Sequence, residues 1–229
     1  MLFRSDKFAS YGREGVLALM SDSTNVEKEG RTIPDRVVGK TLEKIISKSP
    51  GRAIVALFAS NVVRIQQIVD IAVACGRMIA FDGRSIETST MKAKLLGYLK
   101  IPPEIEISIK ELSGYPDDEV IIITTGSQGE PMSSLARMAN GSNKMLKTRV
   151  GDTVILSSKF IPGNEKAIAN IINNFYDDGA EVVYEKISDI HVSGHAFRDE
   201  LKEMINLVKP KYFIPVHGER RHLVHHIRL

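Results

Sequence analysis

The chain has 229 residues, with 31 Lys and Arg against 28 Asp and Glu, and therefore a formal charge of +3. Hydrophobic residues make up 43% and charged residues 26%, a balance typical of globular proteins that excludes intrinsic disorder. A single cysteine, Cys75, excludes an internal disulfide framework and a cysteine-rich zinc ribbon. No apolar run has the length of a membrane span, and the first residues lack the apolar core of a signal peptide. We therefore expect a cytoplasmic protein.

Apolar stretches typical of strands alternate along the chain with amphipathic stretches typical of helices. Strands are predicted at 15–20, 52–58, 77–82, 119–125, 152–158, 181–185 and 211–216, the first of them buried, with a further edge strand near 104–112. Helices are predicted at 35–48, 62–75, 88–97, 131–140, 163–178 and 197–208. Ser60 or Asn61 can cap the second of these helices, and Gly76 follows it as a C-cap. This alternation predicts an α/β fold with a mainly parallel sheet.

Small and hydroxylic residues cluster where the predicted strands end. The segments are SDSTN at 21–25, ASN at 59–61, GSQGEP at 126–131 and KFIPGNE at 159–165. Ligands of open α/β sheets bind outside the carboxyl ends of the strands, and backbone N–H groups with hydroxyls suit phosphate. Each segment can equally be a turn or a helix cap without chemistry.

Two further strand ends carry histidine, in HVSGHA at 191–196 and in HGE at 217–219. Histidine can ligate a metal or act as a general acid near neutral pH. A nearby aspartate would fix its tautomer and raise its pKa. The residues alone therefore indicate a phosphate-handling hydrolase. The histidines at 222, 225 and 226 are instead expected on a solvated helix face.

Several collinear motifs together resemble bacterial ribonuclease J, of the β-CASP branch of the metallo-β-lactamase superfamily. They are LMSDSTN, FASNVVRIQQI, GRS, TTGSQGEPM, LARMANG, GDTVILSS, IPGNEKA, IHVSGHA and LVKPKYFIPVHGERRHL, and they cover almost the whole chain. The resemblance implies a β-CASP domain at 35–198, with a mainly parallel sheet flanked by helices. It also implies short flanking pieces of a metallo-β-lactamase fold at 1–34 and 199–229.

The resemblance also implies an activity. Members of this family are metal-dependent 5′–3′ exoribonucleases and endoribonucleases that hydrolyse RNA phosphodiester bonds in RNA processing and decay. Two metal ions, usually zinc, serve as cofactors. The implied partner is single-stranded RNA with a 5′-monophosphate end, and a homo-oligomer is a further possibility.

The resemblance implies site residues at the positions of this sequence that match the family's motifs. Asp22 matches the acidic residue that orients His195, and His195 matches the histidine that donates a proton to the leaving oxygen. His217 matches a metal ligand. The residues that match the RNA phosphate pocket are Ser60, His191, Ser193 and His195. Phe58 is a candidate for contact with a base, or a buried strand residue.

The family's HxHxDH metal motif, its next histidine and its bridging aspartate do not occur in this sequence. His217 is the one family metal ligand in the chain, so we expect that the chain alone does not hold both ions and is inactive. We also expect exposed apolar surface on the two flanks, and a tendency to associate.

Two alternatives remain open at this point. One is a non-catalytic RNA-binding module, with mild support from the basic residues Lys144, Lys147, Arg149, Arg220 and Arg221. The other is a nucleotide-binding α/β domain of another class, which the absence of a GxGxxG fingerprint disfavours.

Overall fold

The computed structural model describes residues 5–185, 187–188, 190 and 193–229. The chain divides into a terminal unit, Met1–Asp35 with Val192–Leu229, and a central unit, Arg36–His191. The helices are α1 Ser5–Glu14, α2 Asp35–Lys48, α3 Val62–Cys75, α4 Arg84–Leu95, α5 Ser134–Ala139, α6 Glu165–Asp177, α7 Arg198–Val208 and α8 Arg220–Ile227. The strands are β1 Ala18–Asp22, β2 Ala53–Ala56, β3 Met78–Asp82, β4 Val120–Thr124, β5 Thr153–Leu156, β6 Glu181–Val183 and β7 Tyr212–Val216.

The central unit is built on a parallel sheet of five strands in the order β3-β4-β2-β5-β6. Its three middle strands are buried along their whole length, as expected for a parallel sheet covered on both faces. Helices connect successive strands, so the predicted α/β class is confirmed. The apolar centre of the sheet comprises Ile54, Val55, Ile122, Ile123, Val154 and Ile155, all with 0% exposure.

Local signals explain where helix α3 begins and ends. Asn61 is the N-cap, and its side chain accepts a hydrogen bond from the backbone N–H of Arg64. Gly76 takes a left-handed conformation at the C-terminus, with φ 66°. Of the two caps that the sequence allowed, Asn61 is therefore the one used.

Two of the predicted elements that differ from the structure have a clear local cause. The expected edge strand near 104–112 makes only an isolated bridge between Ile79 and Glu106, and a 3₁₀ helix follows at Ile109–Gly114. The capping box of Ser108 and Glu111 turns the chain there and ends the pairing. Helix α5 begins at Ser134 rather than Pro131, because Ser133 caps it.

The terminal unit contains a parallel pair of strands, β1 and β7, with Asp22 opposite Val216. Helices α1 and α7 lie close together in the same unit. A Cβ on Gly12 would come within 2.1 Å of the backbone oxygen of Leu207. Only a residue without a side chain permits this approach.

The prediction of a buried strand at 15–20 is wrong. Strand β1 alternates between exposed and half-buried positions, because a sheet of two strands leaves side chains uncovered. The exposed apolar surface that was predicted for the two flanks is confirmed. It comprises Leu17 at 68% exposure, Met20 at 66%, Tyr212 at 55% and Ile214 at 44%.

Among the residues that the structure describes, none of the helices is both long enough and apolar enough to cross a membrane.

Candidate functional site

The site forms where strands β1 and β7 end side by side. Asp22 is the last residue of β1, and His217 directly follows the last residue of β7. The backbone N–H of Ser23 donates to the oxygen of Val216 at 2.9 Å, which ties the two strand ends together. Parallel pairing thus places an aspartate and a histidine that are distant in sequence at one edge.

Asp22 holds His195, from the segment before helix α7, by a hydrogen bond of 2.9 Å between Oδ2 and Nδ1. Its other oxygen, Oδ1, accepts from Thr24 through the hydroxyl at 2.7 Å and the backbone N–H at 3.3 Å. Burial raises the pKa of Asp22, but the hydrogen bonds from Thr24 and His195 outweigh that effect and lower the pKa. Asp22 is therefore ionised at neutral pH, with both oxygens engaged.

His217 lies beside this pair in an unusual backbone conformation. Its φ is +59°, in the left-handed region that residues other than glycine adopt uncommonly, although Asn, Asp and His adopt it more often than the rest. Its ring stacks on that of His195, with centroids 5.7 Å apart and 26° between the planes. Ligand atoms of Asp22, His195 and His217 all lie within 4.8 Å of one another.

This donor set fits part of a metal centre. Carboxylate oxygens and imidazole nitrogens are the ligands that zinc prefers besides thiolate. The oxygens of Asp22 accept three hydrogen bonds, and a carboxylate has about four lone-pair sites, so Asp22 can still offer one to a metal beside the imidazole nitrogens of His195 and His217. A zinc site takes at least three protein ligands. A centre of two ions needs more donors than these three residues offer, so the described residues fit part of such a ligand set.

Ser193 belongs to the same group of residues. Its hydroxyl accepts from the side-chain amide of Asn25 at 2.7 Å and from the backbone N–H of His195 at 3.2 Å. Asn25 also donates to the backbone oxygen of His195 at 3.0 Å. Asn25 thus fixes the segment that carries Ser193 and His195 beside the turn that follows Asp22.

The remaining predicted site residues lie elsewhere in the chain. Ser60 is in the central unit, between β2 and the cap of α3, and Phe58 nearby is 40% exposed rather than buried. His191 lies outside the described residues. The structure thus brings together Asp22, Ser193, His195 and His217 in one unit.

A cavity of about 500 Å³ in the terminal unit adjoins Asp22. Its lining includes Ser21, Gly194 and Ala196 together with the charged residues Arg31, Glu200 and Glu203. Arg31 and Glu203 form an ion pair of 2.7 Å. The cavity gives small polar groups access to one side of Asp22.

Sequence reasoning missed the role of the last helix. His226 was expected on a solvated face, but it is 1% exposed and shares a hydrogen bond of 2.9 Å with Ser23. The expectation is therefore wrong for His226, whereas His225 is exposed. The spacing along the helix could have predicted the burial of His226. It follows the partly buried Leu223 by three residues, and residues three apart share one face of a helix.

The predicted basic residues are partly neutralised. Arg149 is paired with Asp117, and Arg221 binds Glu27 at 2.8 Å and Glu219 at 3.2 Å. These pairs reduce the positive charge that the sequence offers to a polyanion.

Comparison with known families agrees with this architecture. The family described as "Ribonuclease J, beta-CASP domain" matches residues 50–175. The family described as "Zn-dependent metallo-hydrolase RNA specificity domain" matches residues 179–229. The first match, which covers more than half of the chain, shows a protein of the β-CASP class.

The relatives narrow that class to one family. The chain is 47% identical to Ribonuclease J 1 of Streptococcus pyogenes over 94% of its length, and 44% identical to Ribonuclease J2 of Bacillus subtilis over 94%. It is 43% identical to Ribonuclease J of Synechocystis over 99%. The chain belongs to the ribonuclease J family with a β-CASP domain. It spans 38%, 39% and 36% of the length of these three relatives, respectively.

Proposed function

We propose that this chain supplies RNA recognition and part of the active site of a metal-dependent ribonuclease of the cytoplasm. The reaction is hydrolysis of RNA phosphodiester bonds, from a 5′-monophosphate end and internally. The observation that carries the proposal is the hydrogen-bonded pair of Asp22 and His195 beside His217. A carboxylate, a general acid and a metal-ligating imidazole at one strand edge suit phosphoryl chemistry.

In this proposal His195 handles the proton. Asp22 accepts from Nδ1 of His195 and so leaves Nε2 directed away from the carboxylate. In this step the Nε2–H of His195 donates its proton to the leaving oxygen as the P–O bond breaks. The incoming water supplies the hydroxyl that remains on the phosphate, and its second proton returns to solvent.

His217 holds metal in this proposal, together with ligands that the described residues do not include. Zinc would polarise the phosphate and lower the pKa of an attacking water. The donors among the described residues form an incomplete set, so the proposal assigns recognition to this chain and makes hydrolysis depend on further ligands.

The proposed phosphate pocket of the terminal unit comprises Ser193 and His195. The hydroxyl of Ser193 accepts two hydrogen bonds in the structure and keeps its own hydrogen for a phosphate oxygen. The backbone around it is fixed by Asn25, so the pocket is partly organised before RNA binds.

Fluorescence anisotropy with a short labelled single-stranded RNA tests this proposal. We compare a 5′-monophosphate end with a 5′-hydroxyl end at fixed salt and without added metal. We expect tighter binding of the phosphorylated RNA, and loss of that preference in Ser193→Ala. Ser10→Ala is the matched control, because the Ser10 hydroxyl donates to the backbone oxygen of Lys7 within its own helix. Equal binding of the two RNAs would contradict the proposed pocket.

The salt dependence of the same titration tests the phosphate contribution. If phosphate contacts dominate, the logarithm of the affinity falls linearly with the logarithm of the salt concentration. Because Arg149 and Arg221 are paired with carboxylates, we expect a shallow slope of about one or two phosphate contacts. A flat response would show that phosphate contacts do not dominate.

A further inference from the structure

His226 of helix α8 makes a buried polar contact under the site. Its Nδ1 lies 2.9 Å from the hydroxyl oxygen of Ser23, and the two residues are 1% and 0% exposed. They are 203 residues apart in sequence, so the contact joins the last helix to the end of strand β1.

Ser23 links the two strand ends that carry Asp22 and His217. It directly follows Asp22, and its backbone N–H donates to Val216, the residue before His217. The His226 ring also meets Phe213 of β7 edge-on, with centroids 4.8 Å apart and 71° between the planes. One imidazole therefore contacts both strands that carry the site.

We infer that His226 is a positioning residue, which sets the turn at Ser23 and through it the Asp22 carboxylate that holds His195. The inference rests on the proposed function only for the role of His195 in proton transfer. The positioning itself is a property of this chain, so it can be tested whether or not the nuclease proposal holds.

The chemistry of the buried ring favours a polar role over simple packing. Its Nε2 is buried and has no hydrogen-bond partner among the described residues. An unsatisfied buried nitrogen is unfavourable, and a phenylalanine ring would fill similar space without it. The contribution of this histidine is therefore the Nδ1 contact with Ser23.

Two substitutions separate the hydrogen bond from the packing. In His226→Asn the amide can replace Nδ1 as the partner of Ser23, but the ring contact with Phe213 is lost. In His226→Phe the ring contact remains, but the hydrogen bond is lost. A positioning role predicts a disturbed site in the Phe variant and a largely preserved one in the Asn variant.

Two readouts by nuclear magnetic resonance report on the site without any nuclease assay. The first is hydrogen exchange at the Ser23 amide, which we expect to be at least tenfold faster in His226→Phe than in the unaltered chain. The second is the ¹H–¹⁵N pattern of the His195 ring, in which protonation of Nδ1 marks the bond to Asp22. We expect His226→Phe to lose that pattern and His226→Asn to keep it.

Controls distinguish positioning from general damage. His225→Phe changes the exposed neighbour on the same helix and leaves both readouts unaltered in our expectation. Ser23→Ala removes the same hydrogen bond by changing the other partner, and we expect it to give the His195 pattern of His226→Phe. It therefore tests the inference even if the His226→Phe variant does not fold. A folded His226→Phe variant with an unaltered Ser23 amide and His195 pattern would overturn the inference, and so would an unaltered His195 pattern in Ser23→Ala.

Discussion

At the scale of single residues, the backbone of the site is strained at His217, which has a positive φ. A left-handed conformation at a residue such as His217 costs of order 1–3 kcal/mol and persists only where the surroundings impose it. Here the Ser23–Val216 hydrogen bond and the stacked His195 ring hold the residue. In this conformation the imidazole of His217 stacks on the ring of His195, which is bonded to Asp22.

His226 makes the stability of the chain depend on pH. Burial lowers the pKa of His226 below its ordinary value of 6.5, against a weaker opposing attraction from Asp22. The unfolded chain therefore binds a proton there more readily than the folded chain, so the stabilising contribution is present above about pH 6.5 and is lost as the pH falls below that value through the lowered pKa of the folded chain. We expect urea denaturation to show this loss between about pH 8 and pH 5. In His226→Asn the loss is smaller, and parallel curves for the two proteins would contradict the expectation.

Gly218 is required both by its backbone and by its surroundings. Its φ is +106°, and a Cβ there would lie 3.0 Å from Nδ1 of His222. We expect Gly218→Ala to lower the free energy of unfolding by about 2 kcal/mol or more, since the left-handed region alone costs about 1–2 kcal/mol. Gly30→Ala is the control for strain alone, because Gly30 has φ +78° and open space around its Cβ position. Equal losses in the two variants would show that the His222 contact is unimportant.

At the scale of elements, a buried ion pair fastens the amino-terminal ends of β2 and β5. Arg52 and Asp152 directly precede these strands, and their side chains are 3% and 1% exposed. The guanidinium binds both carboxylate oxygens, at 2.9 Å and 2.5 Å, and also the backbone oxygen of Lys147 at 2.8 Å. The pair therefore sets the register at which the two central strands begin.

Removing one charge of this pair leaves the other buried without compensation. We expect Asp152→Asn to destabilise the central unit by about 3–5 kcal/mol, measured by chemical denaturation. The exposed pair of Arg149 and Asp117 is the matched control, with side chains 49% and 38% exposed. Asp117→Asn is expected to cost less than about 1 kcal/mol. A similar cost for both variants would show that burial does not determine the effect.

At the scale of the whole molecule, uncovered apolar side chains on β1 and β7 predict self-association. Met20 is 66% and Ile214 is 44% exposed, on a sheet of two strands among the described residues. Burial of such surface stabilises by about 25 cal/mol per Å². We expect sedimentation velocity to show association at high concentration, reduced in a Met20→Lys, Ile214→Thr variant. Met132→Lys, at an 84% exposed position of the central unit, is the charge-matched control for Met20→Lys. A monomer at all concentrations would refute the prediction.

Much of the fold could be predicted because its signals are local. The predicted helix at 35–48 coincides with α2, since an apolar stripe at helical spacing suffices to define it. The central strands are continuous apolar runs of the kind that only a doubly covered parallel sheet explains. The segment near 104–112 failed because its alternation competes with a capping box at Ser108.

The amino-acid sequence by itself determined the α/β class, most of the central strands and helices, and the family, since each depends on residue patterns along the chain. It also nominated Asp22, His195 and His217 through their motifs. Only the tertiary structure decided that these side chains meet, that both oxygens of Asp22 are engaged, and that His226 lies buried against Ser23. The physical reason is that those contacts join strand ends and a helix almost the whole chain apart, and no local propensity specifies such a distance.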